Sequence, residues 1–180
     1  MSEAKDLGIK YPLTPTQAVK NHSKYLTELE QQEISEFEEV YYLATDECKI
    51  HPTKAERIVN NGYDDQDGYY RISKNDQIGF RFQILEQIGK GAFGQVLKCY
   101  DHKTKQLVAM KLVKNQKKYY YQAAVEAKLL LLTKENDPDN KECVIKIQDY
   151  FVFRNHLCMT FDLYSLNLYE FIKMYDYAGF

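Results

Sequence analysis

The sequence predicts an α+β fold, a five-stranded antiparallel sheet with one prominent helix, preceded by a partly helical N-terminal region. Three observations predict it. From Phe80 onward apolar and polar residues alternate through three short runs joined by two turns. Residues 119–133 then carry Ala123, Ala127, Leu130 and Leu131 at helical core spacing. Finally, two strand-like runs, 144–153 and 157–161, face each other across Arg154-Asn155-His156.

The N-terminal region opens with Leu13-Thr14-Pro15-Thr16-Gln17, a helix start in which Thr14 caps, Pro15 suits the first helical position and Gln17 closes a capping box. Ala18, His22, Tyr25, Leu26 and Leu29 recur on one face toward the acidic run at 28–33, which predicts one amphipathic helix with a buried stripe. Ile34, Phe37, Val40, Tyr41 and Leu43 continue the apolar theme before a polar connection at 48–57. Asn60-Asn61-Gly62 is a turn. The aspartates after it, Asp64, Asp65 and Asp67, suggest a calcium loop, but Tyr63 takes the first ligand position and Lys74 the last, so an acidic turn bonding its own backbone is expected.

In the sheet, Phe80, Phe82 and Ile84 alternate, Ile88 precedes a glycine-rich turn, and an extended run resumes at 96–100. The polar residues 101–105 turn the chain into a third run at 107–113. Pro138 breaks the chain after the helix, 162–167 is a connector, and a further helix starts at 168–175. The division expected is residues 1–79 for the N-terminal region and 80–180 for the sheet with its two helices.

Composition excludes several classes. A formal net charge of -2 gives no cationic field for nucleic acid, and no apolar run approaches the roughly 20 residues of a membrane helix. Neither nucleic acid nor membrane is an expected partner, and the expected setting is intracellular, cytoplasmic or nuclear. The four cysteines, Cys48, Cys99, Cys143 and Cys158, lack paired short spacings and read as reduced apolar side chains; the four histidines lack metal-ligand spacing, so no metal site is expected. The run 114–118 is basic and reads as a solvated loop.

The chemistry concentrates in Gly89-Lys90-Gly91-Ala92-Phe93-Gly94-Gln95-Val96, with Lys111 in Val108-Ala109-Met110-Lys111 fifteen residues later, and Glu126 fifteen beyond that. Glycines let backbone approach phosphate, and any side chain at Gly89, Gly91 or Gly94 is expected to hold it away. A dinucleotide-binding reading requires a helix after the glycines, whereas the run after Gly94 is strand-like. An ammonium drawn into a cleft needs a partner charge, and Glu126 supplies it to Lys111. Ile88, Val96 and Ala109 form an expected apolar roof, since alternation points Val96 and Ala109 to one face. This ordered trio is similar to the upper half of a protein kinase ATP cleft.

The resemblance then extends over nearly the whole chain. Residues 13–18, the segment Gly62-Tyr63-Asp64-Asp65 through Tyr70, the stretch Phe153-Arg154-Asn155-His156-Leu157-Cys158 and Asn167-Leu168-Tyr169-Glu170 resemble the N-terminal half of a class II dual-specificity tyrosine-regulated kinase, the DYRK family. The resemblance implies an accessory region and homology box over residues 1–79, and a kinase N-lobe, hinge and start of the C-lobe over 80–180. It places Phe161 as gatekeeper and Asp162, Leu163 and Tyr164 as the hinge whose backbone meets adenine. ATP is the implied cofactor, with magnesium in an intact parent, and the implied partners are protein substrates and a C-lobe.

His-Arg-Asp and Asp-Phe-Gly do not occur in these 180 residues, so the catalytic-loop aspartate and the metal motif are absent and the chain alone is expected to be inactive, with weak nucleotide binding. Tyr175-Asp176-Tyr177 imitates an activation-loop pattern but reads as helix-end tyrosines. Truncation is expected to expose apolar surface near the hinge and the 168–175 helix. The alternative function is a non-catalytic interaction or regulatory module derived from a kinase; a nicotinamide enzyme is a more distant third.

Overall fold

Thr14 starts the first helix as its chemistry suggests. Its hydroxyl accepts from the Gln17 amide at 3.2 Å, and Gln17 Oε1 accepts from the Thr14 amide at 2.9 Å. Helix α1 spans Pro15–His22 in a computed structural model that describes residues 7–51 and 59–178. The single long amphipathic helix expected here is broken. Leu26 turns extended, and Thr27 with Glu30 closes a second capping box that starts α2, Glu28–Glu33. A Thr that satisfies orphan amides of a new helix wins over continuation of the old one. Ala18, Leu26, Ile34, Val40 and Leu43 gather with Phe80 into a core of their own. Most of the connection read at 48–57 lies outside the described residues.

Phe80 is also not the start of a strand. It holds a φ of 53°, is buried in that N-terminal core, and its carbonyl accepts from the Tyr41 and Tyr42 amides at 2.8 and 3.0 Å. A short β1 (Gln77–Ile78) precedes it, and β2 (Phe82–Gly91) comes after it. The chain continues through β3 (Gly94–Asp101), β4 (Gln106–Val113), α3 (Lys117–Asn136), β5 (Ile147–Phe153), β6 (His156–Asp162) and α4 (Leu168–Met174). All pairings are antiparallel, in the order β1-β2-β3-β4-β6-β5. The two-residue β1 is thus an addition to the five strands expected. β5 starts later than residue 144 because Asp137 holds the preceding loop, its carboxylate accepting from the Lys141 amide at 2.7 Å and the Glu142 amide at 3.3 Å.

The register assigns the two faces of the sheet. Val96 pairs with Lys111 and Lys98 with Ala109, so these four share one face, and α3 packs beside them through Ala123, Ala127, Leu130 and Leu131. The opposite face presents Leu97, Cys99, Val108, Met110 and Leu112, which bury against Tyr63 and Tyr70 of the N-terminal region. One face is therefore free to form a site because the other is covered.

The cover is latched at the β5–β6 turn, where Arg154 and Asn155 both take positive φ in a two-residue hairpin connection. Arg154 reaches Glu33 at 3.0 Å and the Tyr70 hydroxyl at 2.9 Å, and its guanidinium lies 3.8 Å from the centre of the Tyr63 ring. His156 meets Asp64 at 2.8 Å. The acidic turn behaves as expected of one that caps its own backbone: Asp65 accepts from the Asp67 and Tyr69 amides.

Candidate functional site

Beneath the β2–β3 hairpin the free face opens into a cavity of about 880 Å³. Its roof is Ile88, Gly89, Val96 and Ala109, its back is Phe161, and its outer wall is the segment 162–167 between β6 and α4. Strand alternation puts Val96 and Ala109 there, because Leu97 and Met110 are taken by the core on the other face.

Lys111 and Glu126 meet inside this cavity. The ammonium donates to both carboxylate oxygens, at 2.6 and 2.7 Å. Both side chains are half-buried rather than sealed, so the pair is partly wetted and open to a third group on the cavity side. Its position comes from the sequence: Ala123, Ala127 and Leu130 turn α3 toward the sheet, which brings the intervening Glu126 to the Lys111 end of β4. A second pair, Lys98 with Glu86 at 3.0 Å, sits at the cavity mouth.

The glycines differ in why they are needed. At Gly94 an added Cβ would lie 2.1 Å from the Leu112 carbonyl oxygen, so the close approach of β3 to β4 excludes any side chain. At Gly91 nothing lies within 4 Å, and at Gly89 the nearest atom is Val96 Cβ at 3.6 Å. Of the three, only Gly94 is demanded by packing within the chain; at Gly89 and Gly91 the chain itself leaves room for a side chain.

Of the residues singled out in the sequence, Ile88, Gly89, Val96, Ala109, Lys111, Glu126, Phe161, Asp162, Leu163 and Tyr164 line one cavity. Lys90, Gly91, Ala92 and Phe93 form the exposed hairpin tip and do not line it. Gln95 points away; its amide donates to the Tyr70 carbonyl on the covered face. Residues not singled out also contribute. Lys98 and Glu86 were readable, each two positions from a chosen residue on the same strand face, and Leu130 was readable as one turn beyond Glu126. Ile145 sits in a loop and carries no such signal.

The pattern describing the protein kinase domain matches residues 82–177, more than half the chain. This chain belongs to the protein kinase family. It is a homologue of the DYRK kinases. It is 45% identical over 177 residues to dual specificity tyrosine-phosphorylation-regulated kinase 2 of Drosophila melanogaster, a match that covers 97% of this chain and 24% of the relative. Kinase 4 of that series in Homo sapiens is 40% identical over 171 residues, 95% of this chain and 33% of the relative. Human kinase 3 is 43% identical over 169 residues, 94% of this chain and 29% of the relative. The chain thus spans about a quarter to a third of the length of these relatives, and its sheet and α3 have the form of a kinase N-lobe. The strand after Gly94 fits this family and removes the dinucleotide-enzyme reading.

A nucleotide and a magnesium ion fit these residues differently. The apolar roof and the inward ammonium suit a purine carrying anionic groups. The cavity carboxylates do not make a magnesium site, since Glu86 and Glu126 are engaged by lysines, Asp162 accepts from the Gln148 side-chain amide, and Glu170 closes the capping box of α4 with Asn167. Among the described residues no cluster has a metal-ligand arrangement, and no helix is long and apolar enough to cross a membrane.

Proposed function

We propose that this chain is the ATP-gripping lobe of a DYRK-like protein kinase, the whole protein transferring the γ-phosphate of ATP to Ser, Thr or Tyr hydroxyls of protein substrates. The observation that carries the reading is the Lys111 ammonium held by both oxygens of Glu126 in a cavity roofed by the glycine hairpin. In this reading Lys111 draws phosphate oxygens inward, and Glu126 ties the position of α3 to that contact. Ile88, Val96 and Ala109 cover adenine, the backbone of 162–164 meets its edge, and Phe161 closes the back. The backbone of 89–94 lies over the phosphates, with residues 1–79 as the accessory region and 80–180 as the N-lobe, hinge and start of the C-lobe. Four cysteines free of disulfides fit a reducing, intracellular setting.

Residues 1–180 contain neither His-Arg-Asp nor Asp-Phe-Gly, and by themselves they are expected to bind nucleotide weakly and to transfer no phosphate. Equilibrium binding of a non-hydrolysable ATP analogue to the 180-residue chain tests the reading, with Lys111→Met as the control. Saturable binding that drops about tenfold in the variant, with an unchanged far-ultraviolet circular dichroism spectrum, is the expected result; a tenfold change corresponds to about 1.4 kcal/mol, a modest charge-assisted contact. Equal affinities for the two proteins would overturn the role given to Lys111.

A further inference from the structure

We propose that Tyr69 is a positioning residue for the glycine hairpin, tethering its tip at the height from which the hairpin would cover bound phosphates. The proposal rests on the reading of the cavity as a nucleotide site. Three sets of contacts carry it.

The first is the tether. The Tyr69 hydroxyl donates to the Gly91 carbonyl oxygen at 2.9 Å, across 22 residues of sequence. Residues 90–93 are exposed and an added Cβ at Gly91 would meet nothing, so the tip has little packing of its own to fix it. The second is cationic. The Lys90 ammonium lies 4.0 Å from the centre of the Tyr69 ring and the Lys114 ammonium 4.1 Å, and Lys90 also stands 3.9 Å from Asp65. Lys114 is therefore not merely part of a solvated basic loop. Both lysines are drawn to the same acidic turn.

The third is that the turn bearing Tyr69 is itself anchored. The Asn115 amide donates to the Gly68 carbonyl at 2.9 Å, Asn115 Nδ2 to Asp64 at 2.8 Å, and Gln116 Nε2 to the Asp67 carbonyl at 2.9 Å. Gly68 has a φ of +82°, and a Cβ there would approach the Asn115 carbonyl oxygen to 3.3 Å, so glycine permits this docking. Asn115 and Gln116 lead directly into α3, which carries Glu126. Phe93 at the hairpin tip meets Tyr119 on the first turn of α3 edge to face, at 5.6 Å. The N-terminal turn thus holds the hairpin tip and the start of the Glu126 helix at once, so a shift of that turn moves both halves of the grip together.

Hydrogen exchange and ligand affinity on the 180-residue chain test this with two variants. Tyr69→Phe keeps the ring and its lysines but removes the tether; Tyr69→Leu removes both. Amides of residues 90–94 are expected to exchange about fivefold faster in Tyr69→Phe, the worth of one net hydrogen bond, and faster still in Tyr69→Leu, while β5 and β6 amides stay at the wild-type rate. Affinity for a non-hydrolysable ATP analogue is expected to fall by the same factor in Tyr69→Phe, with affinity for adenosine unchanged, because the hairpin tip lies over phosphates rather than base. Unchanged exchange at 90–94 overturns the tether, and equal losses for adenosine and the ATP analogue overturn the positioning role. If the wild-type chain binds no nucleotide, the nucleotide-site reading fails, while the exchange rates still decide whether Tyr69 holds the hairpin.

Discussion

Asp64 and His156, 92 residues apart in the chain, meet at 2.8 Å with both side chains sealed from solvent. The other ring nitrogen of His156 faces the Val113 carbonyl at 2.7 Å, and Asp64 accepts further bonds from Asn60 at 3.0 Å and Asn115 at 2.8 Å. One carboxylate thereby joins the N-terminal turn, the end of β4, the approach to α3 and the start of β6. Asp64→Ala leaves a buried imidazole and two amides without their acceptor, and a loss of about 3–5 kcal/mol is expected. Asp65→Ala, which gives up two bonds to backbone and a wetted contact with Lys90, is expected to cost about 1 kcal/mol. Urea unfolding of the two variants checks this, and similar midpoints for both would remove the latch.

The same carboxylate makes the fold acid-sensitive. Burial alone would raise the pKa of Asp64, but hydrogen bonds from His156, Asn115 and Asn60 and the nearby imidazole hold it below the usual carboxylate value. Glu30 is likewise held low, its burial outweighed by Lys49, and so is Asp101, its burial outweighed by Arg81 and local amides. Groups depressed in the folded state contribute stability that is complete above the unfolded value of about 4 and is lost as pH falls through the folded value. Unfolding monitored by tyrosine fluorescence from pH 5 to 2 should show this loss, and Asp64→Asn should reduce its steepness. An unaltered acid profile in that variant would remove Asp64 from the account.

Asp76 works in the opposite direction. Burial pushes its carboxyl up to about 6, with the Gln77 amide at 2.7 Å on one oxygen and the Ile50 amide, farther off at 3.4 Å, on the other as donors to the side chain. A raised folded value gives stability that is complete below about 4 and lost as pH rises through about 6. Asp76→Asn keeps the oxygen that accepts from Gln77 and removes the charge. It is expected to match wild type near pH 3.5 and to exceed it at pH 7.5 by roughly 1–3 kcal/mol, the scale of a two-unit shift. A variant less stable than wild type at pH 7.5 would contradict this.

Gly94 and Gly91 separate a glycine demanded by packing within the chain from one that only the proposed function calls for. Gly94→Ala places a methyl 2.1 Å from a backbone oxygen, so β3 or β4 must move, and a loss of about 3 kcal/mol or more is expected. Gly91→Ala meets open space and is expected to leave the melting temperature within about 2 °C of wild type, a shift of less than 1 kcal/mol, while weakening binding of an ATP analogue. Equal melting temperatures for the two variants would show that the hairpin relaxes freely.

The sheet was legible in the sequence because two-residue alternation sets the cavity face, and the Lys111–Glu126 pair because the ordered glycine, lysine and glutamate resemble a kinase cleft in which the ammonium needs a partner charge; in the structure, helical spacing turns Glu126 toward that face. Thr27 was the signal missed in the N-terminal region, since an apolar stripe suggests one helix wherever a cap in its middle goes unread. Phe80 misled for a related reason: alternation cannot tell a strand residue from a buried aromatic held at positive φ by contacts from Tyr41 and Tyr42. Arg154, Asn155 and His156 were read as a turn, and their bonds to Glu33, Asn60 and Asp64 could not be inferred, because nothing local records a partner some 90 to 120 residues away. Tyr69 was hidden the same way within an acidic turn.

Helix α4 is the expected source of self-association. None of its residues is buried, and Leu168 and Met174 are 64% and 69% exposed. Tyr164 and Leu166 on the segment leading to it are exposed as well, giving a patch of large apolar side chains. A seven-residue helix is marginal in water by itself, so its apolar side chains gain by burial against another molecule. The exposed Val125 and Leu129 on α3 compete as a second patch, but that helix is already anchored by its opposite side through Ala123 and Ala127. Sedimentation velocity at rising concentration should therefore show association that Leu168→Glu with Met174→Glu abolishes and Val125→Glu with Leu129→Glu leaves largely intact. The reverse pattern would move the sticky surface to α3, and a monomer at all concentrations would mean that neither patch is strong enough to join two copies.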